Sequence, residues 1–120
     1  MAGKTLGLAG SIWTLVSLDG IPPIAGTEIT ATFGTDRRVS GSAGCNRYTG
    51  AYEASGPSIE VGPLASTRMY CPTPGVMEQE QRYLVTLEAS ALAAVEDNQL
   101  LLADAGGARE LLFSRLNPTT

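Results

Sequence analysis

Apolar and polar residues alternate with period two along most of this 120-residue chain, the pattern that half-buried β-strands leave in a sequence. The clearest run is 28–33, where Ile29, Ala31 and Phe33 share one face and Glu28, Thr30 and Thr32 the other. Ser11–Leu18 is rich in strand formers and ends at the turn pair Asp19-Gly20. Ile21-Pro22-Pro23-Ile24 then reads as a stiff, extended connector. Further strands are expected at 37–41, at 44–52 (with Tyr48, Gly50 and Tyr52 on one face), at Ser58–Val61 and at 64–69. Gly34-Thr35-Asp36, Ser55-Gly56-Pro57 and Gly62-Pro63 punctuate them. Beyond residue 90, the segments 91–95, 100–103 and 109–116 form a three-strand meander, turned at Asp97-Asn98 and Gly106-Gly107.

One segment changes period. Over about Val76–Glu88 the spacing predicts an amphipathic helix, with Met77, Leu84, Leu87 and Ala91 on one side of the wheel. Thr73 is placed to cap it and Pro74 suits its first position. Glu78 complements the dipole of the first turns. About eight short strands and one helix, with no linker and no repeat, make the fold class α+β, mostly β. The expected architecture is a small antiparallel β-barrel-like sheet with the helix packed on it or plugging it. Closure is favoured because an open sheet of that size exposes edges. The expected division is a tail over 1–11, one domain over 12–116 and a tail over 117–120.

Composition narrows the function classes. A chain of this length buries roughly two-thirds of the surface its unfolded form exposes, enough for one core. With 43% hydrophobic and 17% charged residues it is no disordered tail. The net charge is −4 and the single lysine is Lys4. The arginines are scattered, so there is no basic stripe for nucleic acid or for an anionic membrane. No apolar run approaches the roughly 20 residues of a membrane-spanning helix, and the start is not a complete export signal.

Histidine is absent, which removes the usual general base near neutral pH and the Ser-His and Cys-His pairs. The twelve carboxylates are dispersed, with no pair spaced for glycoside hydrolysis or for a metal. No catalytic residue, cofactor or metal site is therefore assigned. The glycine-rich stretch 41–50 lacks the Gly-Lys-Ser/Thr ending of a phosphate loop and opens no helix. Its glycines are expected to permit a tight turn, a bulge or a close strand approach. Trp13, Phe33, Tyr48, Tyr52 and Phe113 fall on strand faces and are expected in the core.

Two features carry candidate chemistry. Glu80 lies between Met77 and Leu84 on the apolar side of the wheel, where an unpaired carboxylate would cost on the order of several kcal/mol. Arg47 and Arg68 are the expected partners, forming a clamp between helix and sheet. In the functional alternative, Asn46, Arg47 and Arg68 line a polar pocket for an anionic or peptide group. Cys45 and Cys71 are the two cysteines. In an oxidising compartment they pair, whereas in a reducing one they pack as small apolar thiols. Two thiolates without a histidine make an incomplete zinc site.

Four segments together resemble the META domain, the family that includes the bacterial heat-shock protein HslJ. They are WTLVSLDG at 13–20, RVSGSAGCNRYTGAY at 38–52, LASTRMYCP at 64–72 leading to MEQE at 77–80, and LLL at 100–102 with Leu112-Phe113. The resemblance spans about 12–116, and the second segment is the most specific. It implies a small β-barrel-like α+β fold in proteins that are commonly secreted or envelope-anchored, often as lipoproteins. It also implies links to stress or drug tolerance and to virulence, with no agreed enzymatic activity. An extracytoplasmic location and the Cys45–Cys71 disulfide follow as implications, although this chain carries neither an export signal nor a lipid-attachment cysteine near its start. The function so implied is a non-catalytic, stress-related module that binds another protein or an envelope component; a monomer is the expected state. One alternative is a carrier of small apolar ligands in a barrel interior that Ala31, Ala43 and Gly50 leave partly open. An enzyme with a carboxylate–arginine site is the other.

Overall fold

The computed structural model describes residues 8–116; residues 1–7 of the expected N-terminal tail and all of the expected C-terminal tail, 117–120, lie outside the described residues. The strands are β1 (Ser11–Leu18), β2 (Thr30–Phe33), β3 (Arg38–Ser42), β4 (Arg47–Ser55), β5 (Ser58–Val61), β6 (Ala65–Ser66), β7 (Ser90–Glu96), β8 (Gln99–Asp104) and β9 (Glu110–Arg115). The helix α1 is Val76–Glu88, between β6 and β7. Neighbours run β3-β2-β1-β9-β8-β7-β5-β4, and β3 pairs with β4 to close the ring. Eight antiparallel strands thus form a barrel, with β6 attached outside it on β4. The expected α+β, mostly β barrel with one helix is the observed fold.

Tight connections follow from local chemistry. Asp19 and Gly20 both take positive φ (53° and 84°) after β1, and Asp97 does so (55°) between the paired Glu96 and Gln99. Such conformations favour Gly, Asp and Asn. The glycines of the 41–50 stretch serve close approach. A Cβ on Gly41 would collide with the carbonyl of Thr30, and one on Gly50 with Leu64 and the carbonyl of Pro63. The strand expected over 64–69 shrinks to Ala65–Ser66. It continues β5 along β4, but Tyr52 pairs with Val61 and Thr49 with Ala65, so one extra residue is accommodated around Pro63. The Thr67 N–H still reaches the Arg47 carbonyl at 3.0 Å, and beyond it the Asn46 side chain takes over the Met69 N–H and carbonyl.

The helix seats one face in the barrel, while Glu78, Gln81, Arg82, Val85 and Glu88 stay exposed on the other. Its buried residues are Val76, Gln79, Glu80, Tyr83, Thr86 and Leu87, an arc centred on Tyr83. The apolar stripe read from the sequence is therefore rotated: Leu87 is fully buried, Met77 and Leu84 are half-buried, and Ala91 belongs to β7. The inward arc holds polar side chains that find partners inside, which hydrophobicity alone does not register. The start also differs from expectation. The N-cap is Gly75 at φ 84°, with no side-chain cap; the Thr73 carbonyl accepts the Val76 N–H at 3.2 Å.

Inside, Trp13, Phe33, Tyr83, Phe113, Ile29, Leu87, Leu100, Leu102 and Leu111 are all fully buried. Tyr83 stands edge-on to Tyr48 at 5.6 Å and to Phe113 at 6.4 Å, and Phe33 edge-on to Tyr52 at 4.9 Å. The aromatic residues expected in the core are there. Within 1–11, Leu8 is buried and Ser11 opens β1, where its hydroxyl accepts the Trp13 indole N–H at 2.7 Å. Among the described residues, no helix is long and apolar enough to cross a membrane.

Candidate functional site

The polar candidates meet at one corner, where the turn between β3 and β4 faces the first half of α1. Gly44, at φ 113°, bends the turn, and the Ala43 N–H closes it on the Asn46 carbonyl at 2.8 Å. The N–H groups of Cys45 and Asn46 then point at the same atom, Oε1 of Glu80, at 3.0 and 2.7 Å. Oε2 accepts from the Asn46 side-chain amide at 2.7 Å. Successive N–H groups converging on an anion make a backbone nest, and here the anion is the chain's own carboxylate. Glu80 is only 5% exposed, and these three charge-assisted bonds offset its desolvation.

Asn46 is the hub. Its Nδ2 also donates to the Met69 carbonyl at 3.0 Å, while its Oδ1 accepts from the Thr67 hydroxyl at 2.9 Å and from the Met69 N–H at 2.6 Å. Two donors and two acceptor sites are the full capacity of a primary amide, and all are in use. Beside it Cys45 and Cys71 are joined in a disulfide, with Cα atoms 6.0 Å apart. The corner thus binds helix, turn and the segment after β6 into one unit.

Both arginines stand outside that unit. Arg47 neighbours the inward Tyr48 on β4, so alternation turns it outward. It is exposed, and its backbone, not its guanidinium, contacts the corner through Thr67. Arg68 is exposed too. Among the described residues the one ion pair is Arg37–Glu53, at the surface. Glu80 is therefore answered by amide N–H groups in place of the expected guanidinium. A nest holds the carboxylate without bringing a second charge out of water, which a buried Arg–Glu pair requires.

Three contributors escaped sequence reading. Gln79 accepts the Ile24 N–H at 2.7 Å and donates to the Thr27 hydroxyl at 3.2 Å, pinning the proline-rich connector to the helix. Glu88 accepts the Leu64 N–H at 2.8 Å. In the barrel the Tyr48 hydroxyl donates to the Thr30 carbonyl at 2.7 Å and receives the Tyr83 hydroxyl at 2.7 Å. Burial pushes both phenols above their ordinary pKa.

Around the corner runs an exposed rim. Met69 is 58% and Tyr70 77% exposed, next in sequence to Arg68. A shallow concavity of about 410 Å³ lies beside it, bounded by Ser40, Arg47, Thr49, Ala65 and Ser66 among others.

A model of the META domain matches residues 6–117. This chain belongs to the META-domain family. No curated protein matches it. Among solved structures, this META domain is similar to a Burkholderia xenovorans protein determined by NMR, with 34% identity over 92% of this chain and 85% of that one, at a TM-score of 0.77. A second NMR structure shares 30% identity over 89% and 90% of the two chains, at a TM-score of 0.72. A DUF4847-family protein from Bacteroides vulgatus has the same fold, with a TM-score of 0.68 at 18% identity over 94% of this chain and 97% of its own.

Proposed function

We propose that this META domain is a non-catalytic, extracytoplasmic binding module that engages another protein or an envelope component through the rim beside the Cys45–Cys71 bridge. The observation that carries the reading is a division of labour at one corner. The buried polar groups of Asn46 and Glu80 are spent on each other and on backbone, while Met69, Tyr70, Arg47 and Arg68 face solvent. Aromatic, methionine and arginine side chains on a rigid support are what the centres of protein interfaces are made of. The disulfide supports an oxidising compartment, and the stress-related setting implied by the family belongs to the same proposal. A carrier would need the volume that Trp13, Tyr83 and Phe113 occupy, so the binding module is preferred over the apolar-ligand carrier.

The test is affinity capture from an envelope extract of the source cell, comparing the natural protein with an Arg47→Glu, Tyr70→Ala variant of unchanged melting temperature. The natural protein retains a defined partner and the variant loses it. Equal capture by both overturns the proposal.

A further inference from the structure

We infer that the outer edge of β6 is a strand-addition site for an extended, acidic segment of a partner protein; the inference rests on the rim reading above and names the kind of partner. β6 is the strand at the end of the sheet order and pairs on one side only, with β4. The Thr67 N–H donates to the Arg47 carbonyl at 3.0 Å. In an antiparallel ladder the next residue then turns its N–H and C=O the opposite way, so those of Ser66 face outward, away from β4. Ala65, Ser66 and Thr67 are all exposed, so an incoming backbone can reach them.

One position further along that edge, the Leu64 N–H is already satisfied from outside the sheet, by the side chain of Glu88 at 2.8 Å. That carboxylate oxygen stands where the carbonyl of an added strand would stand. It is an exposed contact, and a peptide carbonyl can take its place. The edge therefore has two consecutive outward positions, one open and one held by a displaceable side chain.

Charge selects the occupant. Arg68 follows Ser66 by two residues and Arg47 stands on β4 opposite Thr67; both are exposed, and among the described residues neither forms an ion pair. An added strand with carboxylates along one face meets them. A second copy of this chain does not fit: two-fold pairing of β6 with itself would set the arginines of each copy against those of the other. A two-residue edge is also far too short for a stable dimer.

The probe is an acetylated and amidated octapeptide, Thr-Val-Glu-Val-Thr-Val-Glu-Val, titrated into the oxidised full-length chain with amide chemical shifts and fluorescence anisotropy as readouts. Saturable shifts are expected at Leu64 and Ser66, and replacing both glutamates of the peptide by lysine weakens binding by about tenfold. Ser66→Pro removes the outward N–H and lowers affinity by about tenfold. Glu88→Ala removes the competitor and raises affinity, by about threefold. Should Ser66→Pro melt lower than the natural protein, the same peptide N-methylated on alternate residues replaces it as the edge test. No saturable binding at millimolar peptide, or affinity indifferent to Ser66→Pro and to N-methylation, overturns the inference. If the Arg47→Glu, Tyr70→Ala variant loses a captured partner that Ser66→Pro retains, the rim reading stands and strand addition fails.

Discussion

The two halves of α1 are docked by different physics. The first half turns Gln79 and Glu80 inward, and each is met by directed hydrogen bonds from loops: the connector at Ile24 and Thr27, and the turn at Cys45 and Asn46. The second half turns Tyr83, Thr86 and Leu87 inward, into a ring of aromatic and leucine side chains. Apolar contact is non-directional and scales with area, so the second half supplies most of the attraction. Directed bonds tolerate little rotation or slippage, so the first half sets which way the helix faces. One half holds the plug in the barrel, and the other fixes its orientation.

The largest effect is expected from the apolar half. Tyr83→Ala deletes a fully buried ring that touches Tyr48 and Phe113 and should cost about 4 kcal/mol in urea unfolding. A loss under about 1 kcal/mol would mean that the surroundings collapse without penalty and that the helix is a cover, not a plug.

Next is the bridge that backs the polar half. Replacing Cys45 and Cys71 together by serine releases a 26-residue loop and should cost about 3.5 kcal/mol by loop-closure entropy. Unchanged stability would place all the constraint in the bonds of Asn46. Glu80→Ala follows, at about 3 kcal/mol, because it leaves the N–H groups of Cys45 and Asn46 buried without an acceptor. Arg47→Ala and Arg68→Ala should stay within about 0.5 kcal/mol. If either arginine variant matched Glu80→Ala, a guanidinium would be holding the carboxylate after all.

The same contrast separates what the residues announced from what they hid. Period-two runs and the switch to a helical period over Val76–Glu88 marked the strands and the helix because burial imposes those periods on any chain. That Glu80 needed a partner was also readable, since a carboxylate on an apolar face must be satisfied. Which partner was not readable. Charge complementarity pointed to Arg47 and Arg68, but the outcome depended on the direction of two backbone N–H groups, which side-chain identities do not encode. Gln79 stayed hidden for the same reason: its partners, Ile24 and Thr27, lie more than fifty positions away in the chain. The short β6 was hidden because the 64–69 pattern could not show Asn46 taking the Met69 backbone out of the ladder.

A single hydroxyl tests whether the apolar half has a polar element of its own. Tyr83→Phe keeps the ring and removes one hydroxyl, leaving Tyr48 bonded to the Thr30 carbonyl, so the expected cost is about 1 kcal/mol near neutral pH. The pH dependence is more telling. In the native protein burial raises the pKa of both Tyr48 and Tyr83 above the ordinary value of about 10. A raised pKa means that the unfolded chain loses its phenol protons first. The stabilisation is whole below about pH 10 and is lost as the pH rises beyond it. Each such group contributes a slope of up to about 1.4 kcal/mol per pH unit. Tyr83→Phe removes one of the two buried phenols, so its stability should fall more gently between pH 10 and 12 than that of the natural protein, by about that slope. Denaturant midpoints measured across the range decide it. Parallel curves would show that Tyr83 exchanges its proton in the folded state as readily as in the unfolded one, and the second half of the helix would then be less sealed than the first.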